Sequence, residues 1–315
     1  MLDLSIIIVN YNSEQLITKC LVSIIHNIKK LSYEIIIVDN NSPGKSALTE
    51  LEKKFNNIKL HFNNTNSGFG SACNIGAKFA EGKYLVFLNP DVEFIDNSLE
   101  NIHNIFDNSQ LNIGAISPVL IDENGKLVYT YNKFPNLRWE LSEAIGAGGT
   151  CRLTTKLLKE IEIKSESEKL LSVDAFTGAC ICILKELFMS LEGFDEKMFL
   201  YYEDTDLQKR LMNGGYLNLL ALNSKVVHLG NKSTKNIEGD NFYYYHIFRS
   251  KLIYFYKHLS FIRRNSFRLI HIWGFTLRIL LLPFRKKYRN QKKTKMKFYF
   301  KLMKLYLLNF DGIKS

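Results

Sequence analysis

The first 90 residues of the chain alternate short apolar runs with segments of helical periodicity. Strand-like runs cover residues 5–9, 34–39, 58–62 and 84–88. These runs are too short for helices, and their central residues are mostly apolar on both faces. Residues 13–29 carry apolar side chains at the spacing of an amphipathic helix. Because buried strands separated by helices form parallel sheets, the sequence predicts an α/β fold with a doubly wound, mainly parallel sheet flanked by helices.

The charge of the chain is divided unevenly along its length. The formal net charge is +11 over 315 residues. Residues 243–315 hold 18 Lys and Arg against one acid, Asp311, whereas the preceding residues hold 24 Lys and Arg against 30 Asp and Glu. We therefore expect two domains, an α/β domain over residues 1–240 and a basic helical segment over residues 241–315. A hydrophobic content of 46% excludes a disordered chain.

Polar residues follow each predicted strand at its carboxyl end. They are Asn10 and Asn12 after the first strand, Asp39, Asn40 and Ser42 after the second, residues 63–70 after the third, and Asn89 and Asp91 after the fourth. Ligands of open α/β sheets bind at the carboxyl ends of parallel strands. Such residues also form ordinary turns, but their presence at all four strand ends favours a ligand site.

A glycine-rich turn, with Gly68 and Gly70, follows the third predicted strand and opens a helix. Cys73 stands at the third glycine position of a dinucleotide-binding motif, and the turn does not follow the first strand, so a nicotinamide cofactor is disfavoured. Backbone N–H groups at the start of this helix could instead receive a diphosphate or a ribose. A tight turn with close helix packing is the structural alternative.

Three acids, Glu203, Asp204 and Asp206, lie within four positions at the start of a predicted helix. The helix dipole and capping favour acids at such a place, but three exceed what a cap requires. Crowded carboxylates raise one another's pKa, which suits a general base. We therefore interpret this cluster as catalytic.

Asp91 and His228 are the candidate ligands for a metal ion. Asp91 follows Pro90 at a strand end, where its oxygens could bind a divalent cation. His228 also ends a short strand and would supply a nitrogen ligand if Asp91 holds a metal. A strand-terminating turn and a structural histidine are the respective alternatives.

Seven motifs occur in the order seen in family 2 inverting glycosyltransferases. They lie at residues 5–12, 39–42, 66–76, 89–91, 177–179, 193–196 and 202–206. The set resembles the bacterial rhamnosyltransferase-like branch of that family, and the resemblance extends over residues 3–235. It implies a GT-A fold, which is Rossmann-like with a mixed, mainly parallel sheet, and it implies a nucleotide-sugar donor.

The resemblance also implies roles for individual residues. Asp204 matches the general base, with Glu203 beside it. Asp91 matches the last acid of the Asp-x-Asp motif, which holds Mg²⁺ or Mn²⁺ on the donor diphosphate, and His228 matches a histidine of the metal site in some relatives. Asn89 replaces the first acid of that motif, which leaves one fewer carboxylate. The residues implied in nucleotide-sugar binding are Asn10, Asn12, Asp39, Asn40, Ser42, Gly70, Asn74, Asn89 and Gly178.

The basic tail contains two predicted helices with striped faces. One arc of the first helix holds Arg264, Arg268, His271, Arg278 and Arg285, and a row on the second holds Lys293, Lys297, Lys301 and Lys304. Basic amphipathic helices bind anionic membrane surfaces, so we expect residues 261–308 to lie on a membrane. Arg278 and His271 interrupt the apolar run, which argues against a spanning helix.

Other interpretations of the tail are packing on the catalytic domain or contact within a homodimer. A nucleic-acid-binding arm is disfavoured because no nucleic-acid motif accompanies the charge.

These features together predict an inverting glycosyltransferase, peripheral to the cytoplasmic face of the bacterial inner membrane, that builds a surface polysaccharide such as O-antigen. The branch resemblance implies dTDP-rhamnose as the donor and a polyprenyl-diphosphate-linked glycan as the acceptor. The alternative is a non-catalytic subunit that binds a nucleotide-sugar or serves as a scaffold in a polysaccharide-assembly complex.

Overall fold

A computed structural model describes residues 2–44, 46–55, 57–145, 149–230, 239–285, 288 and 290–308. Its central sheet begins with four parallel strands in the order β3-β2-β1-β4. Their bounds are β1 Leu2–Asn10, β2 Tyr33–Asp39, β3 Ile58–Phe62 and β4 Gly82–Leu88. Residues 6–8 and 35–38 are buried because the sheet is covered on both faces, as their apolar runs predicted.

The other half of the sheet is mixed. Strand β10 (Cys180–Leu184) lies antiparallel between β4 and β6 (Ile113–Ile121), and β11 (Leu217–His228) continues parallel to β6. Two short strands, β5 (Val92–Phe94) and β8 (Leu170–Val173), pair antiparallel with opposite ends of β11. A separate two-stranded sheet joins β7 (Tyr131–Asn132) to β9 (Ala175–Phe176). The predicted mixed, mainly parallel α/β sheet is thus confirmed.

Helices accompany the strands of this sheet. They are α1 Glu14–Asn27, α2 Ser46–Lys54, α3 Phe69–Phe79, α4 Ser98–Asn108, α6 Gly149–Ser165, α7 Lys185–Ser190 and α8 Glu203–Asn213. The predicted 3.6-residue pattern of α1 is confirmed, because its buried side chains are Ile17, Cys20, Leu21 and Ile24.

The small and glycine residues at 144–150 and the charged residues at 159–169 predict a mobile loop from the sequence, and this prediction is wrong where the structure describes them as helix α6. Residues 146–148 lie outside the described residues. The helix is held by burial of Leu157 and Ile161, which are one turn apart. Tyr131 also donates a hydrogen bond to Glu160, with 2.7 Å between the oxygens. These tertiary contacts override the high polarity of the segment, on which the loop prediction rested.

The contacts divide the described residues into two compact units. The first comprises residues from Met1–Phe134, Lys156–Phe199 and Glu203–Asn236, and the second comprises residues from Pro135–Thr155, Leu200–Tyr202 and Ile237–Ser315. The first unit contains the sheet. The second contains helices α5 Leu137–Ala144, α9 Gly239–His258, α10 Phe261–Leu281 and α11 Lys292–Leu308, with a 3-10 turn at Leu282–Phe284.

The helical unit has an apolar core of its own with a buried ionic cluster inside it. The core includes Leu252, Phe275, Phe298, Leu302, Leu305 and Tyr306. Nζ of Lys251 lies 2.5 Å from Oε2 of Glu140, and Nε2 of His271 lies 2.9 Å from the same oxygen. All three residues are buried, so the charges of Lys251 and Glu140 depend on each other and on the imidazole of His271 for solvation.

The basic arc predicted on α10 faces the interior of this helical unit over most of its length. His271 contacts Glu140, Arg268 donates to the carbonyl of Tyr306 at 2.7 Å, and Arg278 donates to the carbonyl of Glu143 at 2.9 Å. The two arginines thereby bond to carbonyls in the last turns of α11 and α5, where helix carbonyls commonly lack intrahelical donors. These basic side chains stabilise the packing of the helices and are not turned outward.

By length and composition, residues Phe261–Phe284 could cross a membrane, and 28% of that apolar window is buried within the protein. The polar residues that argued against a spanning helix, His271 and Arg278, both bond to other helices of the unit.

The backbone conformation at Gly68 determines how α3 begins. Gly68 has φ of +88° and ψ of 171°, and a Cβ atom there would lie 2.2 Å from the carbonyl oxygen of Phe199. The next N–H, from Phe69, donates to that same oxygen at 3.1 Å. Only glycine fits this backbone conformation and this close approach.

We expect Gly68→Ala to lower the free energy of unfolding by about 3 kcal/mol or more, because strain and a backbone clash add. Gly125→Ala is the matched control, since Gly125 has φ of +77° but open space around its Cα. That variant should lose about 1–2 kcal/mol, the cost of the conformation alone. Urea unfolding of both variants measures the difference, and equal losses would contradict the close contact.

Candidate functional site

The carboxyl ends of β1 and β2 meet in a hydrogen-bonded cluster of predicted site residues. Asn10 pairs with Asp39 in the parallel register, and its Nδ2 donates to Oδ1 of Asp39 at 2.6 Å and to Oγ of Ser42 at 3.0 Å. The N–H of Ser42 donates to Oδ2 of Asp39, and the N–H of Asn12 donates to Oγ of Ser42, both at 3.0 Å. The structure therefore brings these four residues together. Both hydrogen atoms of the Asn10 side-chain amide are thus donated to Asp39 and Ser42 within the protein.

Asn40 organises the loop that leads from β3 to α3. Its Oδ1 accepts from Nδ2 of Asn63 at 3.0 Å and from the N–H of Ser67 at 3.1 Å, and its Nδ2 donates to Oδ1 of Asn66 at 2.8 Å. Asn40 is buried, so these bonds replace water. The polar residues 63–67, predicted only as a strand end, are thus tied to the end of β2.

Asn74 and Gly70 form the contact between α3 and the turn at residues 193–196. The amide of Asn74 accepts from the N–H of Phe194 and donates to its carbonyl, both at 2.9 Å. A Cβ atom on Gly70 would lie 3.0 Å from Cβ of Phe194 and 3.4 Å from that of Glu203. The side chain of Asn74 therefore clamps a turn, while Gly70 allows α3 to lie close to the acidic cluster.

Asp91 is a buried carboxylate with unsatisfied oxygens. It is 1% exposed, and neither Oδ1 nor Oδ2 accepts a hydrogen bond from any residue that the structure describes. Nε2 of His228 lies 3.5 Å from Oδ1, because β11 pairs with β5 and ends beside Asp91. The structure thus brings the two predicted metal ligands together. Asn89 precedes them, and its N–H donates to the carbonyl of Ala179 at 2.9 Å.

The chemistry of this pair fits a cation shared with a substrate. Within the described part of the chain, no three His, Cys, Asp or Glu side chains form a complete metal cage. Mg²⁺ commonly binds through one or two carboxylates together with substrate phosphates and waters. The orphaned oxygens of Asp91 and the nearby imidazole of His228 supply a partial ligand set of that kind.

Asp204, the predicted general base, is held at the start of α8. The N–H of Gly178 donates to its Oδ2 at 2.9 Å, and the N–H of Thr205 donates to its Oδ1 at 2.6 Å. Partial burial raises the pKa of Asp204, although these hydrogen bonds oppose the rise. Oγ1 of Thr205 also donates to Oδ1 at 3.2 Å, so Oδ2 is the oxygen that keeps a further lone pair with which to accept a proton.

Glu203 differs from its neighbour because it is buried without compensation. It is 5% exposed, and its Oε2 has no hydrogen-bond partner among the described residues. Burial, and then the charge of Asp204, raise the pKa of Glu203 well above its usual value. Glu203 is therefore a poorly solvated acid that favours the neutral form, whereas Asp204 is a carboxylate held by hydrogen bonds.

Asp206, the third acid of the cluster, has a structural role. It is fully buried, and its Oδ2 lies 2.8 Å from both Nε and Nη2 of Arg210, one turn further along α8. Arg210 also donates to the carbonyls of Leu191 and Gly193, at 2.6 and 2.7 Å. The clustering of three acids along the chain gave no sign that Asp206, and not Glu203 or Asp204, forms the ion pair with Arg210.

Two residues near Asp204, Tyr129 and Thr177, were not assigned a role from the sequence, although Thr177 lies in the motif at residues 177–179. Partial desolvation raises the pKa of Tyr129, which is 38% exposed, and the charge of Asp204 raises it further. Thr177 precedes Gly178, and its Oγ1 is buried without a hydrogen-bond partner in the described residues. A bond from the N–H of Thr177 to the carbonyl of Thr130, 2.9 Å long, joins the two segments. No local sequence signal marks this pairing, because 47 positions separate the bonded residues.

Tyr201 and Tyr202, immediately before α8, both have left-handed backbone conformations, with φ of 63° and 70°. Such values are rare for residues with large side chains and store strain. The strained dipeptide directly precedes α8, whose first turn carries Glu203 and Asp204.

We expect Glu203→Gln to unfold at a higher temperature than the wild type at pH 8, by roughly 2–4 °C for each kcal/mol of relieved charge burial. A carboxyl whose pKa is raised by folding makes stability fall as pH rises above its ordinary pKa of 4.5, and glutamine does not titrate. The difference in melting temperature between Glu203→Gln and the wild type should therefore narrow as the pH falls to 4.5. Thermal melts of both proteins between pH 4.5 and pH 8 measure this difference.

Glu186→Gln, at an exposed position of α7, is the control and should leave the melting temperature within about 1 °C at each pH. A gap for Glu203→Gln that is constant with pH would contradict the raised pKa.

The chain is similar to known proteins over this same region. Residues 5–161 match the family model described as glycosyl transferase family 2. A minor teichoic acid biosynthesis protein of Bacillus subtilis is 33% identical over 141 residues, which are 43% of this chain and 16% of that protein. An N-acetylglucosaminyl-diphospho-decaprenol L-rhamnosyltransferase of Mycobacterium tuberculosis is 22% identical over 206 residues, which are 62% of this chain and 66% of that protein. The chain thus spans less than two thirds of the length of either relative.

The fold is similar to that of a solved mannosyltransferase from Pyrobaculum calidifontis in complex with GDP-Man and Mn²⁺. The TM-score is 0.56 at 15% identity, over 99% of this chain and 90% of that chain. This likeness shows that the sheet and its helices have the GT-A arrangement. The family match and the named relatives show that the chain belongs to glycosyltransferase family 2.

Proposed function

We propose that this protein is an inverting glycosyltransferase that moves a sugar from a nucleotide-sugar to a hydroxyl of a glycan in cell-surface glycan synthesis. The observation that carries the proposal is the partly buried carboxylate of Asp204. Its pKa is raised, and N–H groups from two chain segments hold it at the start of α8. A raised pKa brings a carboxylate closer to the value at which a general base works well.

In the proposed reaction, the acceptor hydroxyl gives its proton to a carboxylate oxygen of Asp204 while its oxygen bonds to the anomeric carbon of the donor. The bond from that carbon to the diphosphate breaks on the opposite side, which inverts the configuration, and the nucleoside diphosphate leaves with the bonding electrons. The N–H groups of Gly178 and Thr205 orient the carboxylate for this transfer.

Glu203 supports this step by remaining protonated. Its burial disfavours a second negative charge beside Asp204, so one proton acceptor is available at the site. Gly70 lets α3 approach this residue closely. The strand-end residues Asn12, Asp39, Asn40 and Ser42 would surround the nucleotide, with the backbone at the start of α3 near its phosphates.

Asp91 and His228 would hold Mg²⁺ or Mn²⁺ together with the donor diphosphate. The orphaned oxygens of Asp91 support this assignment, and the solved mannosyltransferase of similar fold was determined with Mn²⁺. When bound, the cation neutralises charge that develops on the leaving diphosphate. Asn89 contributes no carboxylate, so the phosphates must supply much of the coordination.

For the donor we propose dTDP-rhamnose, and for the acceptor a polyprenyl-diphosphate-linked glycan at the cytoplasmic face of the inner membrane. Similarity to the mycobacterial L-rhamnosyltransferase, whose name contains a diphospho-decaprenol acceptor, supports both choices. The motif pattern of the rhamnosyltransferase-like branch supports the donor independently.

We expect Asp204→Asn to lower sugar transfer by about 10²–10⁴-fold, because the amide cannot accept the proton, while nucleotide binding changes little. Transfer of labelled rhamnose from dTDP-rhamnose to a polyprenyl-diphosphate-linked acceptor measures the rate, and calorimetry measures nucleotide affinity. Glu186→Gln, at an exposed position of α7, is the control. Transfer by Asp204→Asn within tenfold of wild type would remove Asp204 as the base.

A wild-type protein that binds the donor but neither transfers the sugar nor hydrolyses the donor would favour the scaffold alternative.

Among a panel of nucleotide-sugars, dTDP-rhamnose with Mn²⁺ should raise the melting temperature of the protein most.

We expect Asp91→Asn to weaken the metal-dependent part of donor binding by about tenfold or more, because even outer partners of metal ligands contribute 10–100-fold. Titrating Mn²⁺ at fixed donor concentration measures this loss. Glu162→Gln, an exposed acid on α6, should match the wild type. Equal Mn²⁺ dependence in Asp91→Asn would contradict the site.

A further inference from the structure

Helix α10 presents a continuous apolar row to the outside of the helical unit. Ile262 is 78% exposed, Leu269 66%, Trp273 48%, Leu280 64% and Phe284, in the following 3-10 turn, 81%. The spacings of seven and four residues keep these side chains on one face of a helix. Isolated exposed apolar residues are ordinary, but a row of five along the whole helix marks a binding surface.

The opposite face of α10 is held by polar contacts, so this orientation is fixed. Arg268 donates to the carbonyl of Tyr306, His271 contacts Glu140, and Arg278 donates to the carbonyl of Glu143. Rotating the helix to expose these groups would break all three contacts and bury the apolar row against them. The basic residues of α10 therefore secure the helix, and the apolar residues remain available to a partner.

Helix α11 adds positive charge beside apolar side chains. Its exposed lysines are Lys293, Lys297, Lys301 and Lys304. The exposed apolar residues Met296 (41%), Phe300 (49%) and Leu307 (51%) form a neighbouring row on the same helix. Lysines next to inserted apolar side chains are the pattern of helices that bind anionic lipid surfaces.

We infer that the apolar row Ile262, Leu269, Trp273, Leu280 and Phe284 enters an anionic lipid leaflet, with α10 lying in the plane of that leaflet. The exposed lysines of α11 bind the lipid phosphates. This inference rests on the membrane location within the proposed function and specifies the contact surface. It reverses the arrangement expected from the sequence, because apolar side chains of α10, and not its basic arc, face the lipid.

The ionic cluster decides between a helix in the plane and one that crosses the bilayer. His271 lies near the middle of α10, and its partner Glu140 is also paired with Lys251. If α10 crossed the bilayer, these charged groups would lie at its centre, where ionised side chains are costly. An in-plane helix keeps the cluster on the protein side and only the apolar row in the acyl region.

The first experiment uses the full-length protein and vesicles of phosphatidylglycerol and phosphatidylethanolamine. Trp273 lies in the row, and the chain has one other tryptophan, Trp139. We expect the fluorescence emission to shift to shorter wavelength on binding and this shift to disappear in Trp273→Phe. Lipids brominated near the headgroup should quench more than lipids brominated at the chain end. Stronger quenching from the chain end would overturn the in-plane arrangement.

The second experiment tests the row itself by vesicle co-sedimentation. The double variant Leu269→Glu with Leu280→Glu should bind at least tenfold more weakly. Ile163→Glu, which changes a residue of similar exposure (69%) on α6, should bind like the wild type. Circular dichroism melts of each variant test whether the fold is retained. Unchanged binding by the double variant would overturn the inference.

Two further measurements separate this inference from its rivals. If the row binds a second copy of the chain, the wild type will sediment as a dimer and the double variant as a monomer. Neither protein will then bind vesicles, and the inference fails. Donor hydrolysis without vesicles should be equal in the wild type and the double variant. If neither protein hydrolyses the donor, the proposed function is contradicted, but the vesicle-binding measurements still test the lipid contact.

Discussion

The parallel pairing of β1 with β2 and β4 is the constraint on which the candidate site depends. Its register places Asn10 beside Asp39 and brings the end of β4 to the same edge of the sheet. The backbone ladder thus gathers polar residues that are 29 or more positions apart without requiring any of them to bind a ligand. Antiparallel β10 then adds residues 177–179 next to β4, and Gly178 contacts Asp204.

Polar atoms around this edge fall into two groups according to how their burial is compensated. Asp206 is ion-paired with Arg210, and Gln208 exchanges hydrogen bonds of 2.7 Å with both backbone groups of Phe176. By contrast, Asp91, Glu203 and Thr177 each bury oxygen atoms without a partner among the described residues. Uncompensated burial costs stability, and a ligand bound at the proposed site would supply partners to these oxygens.

In the helical unit, the distribution of charge is the reverse of a simple amphipathic helix. Residues with long basic side chains reach helix C-termini and a buried glutamate, where desolvation is offset by specific partners. Apolar residues of α10 are then left on the outside. A helical wheel records which residues share a face, but the face that a helix buries depends on the partners that other segments supply. Burial and Lys251 also lower the pKa of His271, which removes it from the positive charge expected there.

Much of the fold and part of the site followed from the sequence alone. The apolar runs specified parallel strands, because only strands buried on both faces need such runs, and the motifs at their ends placed Asn10, Asp39 and Asp91 at one edge. Asp204 came instead from the acidic cluster at a helix start and from the family resemblance. Tertiary structure alone separated catalytic candidates from structural residues: Asn74 clamps a turn, Asp206 is ion-paired, and Tyr129 lies near Asp204 through a pairing of distant segments. Local sequence encodes periodicity and residue chemistry, whereas hydrogen-bond partners and the buried face of a helix depend on residues far along the chain.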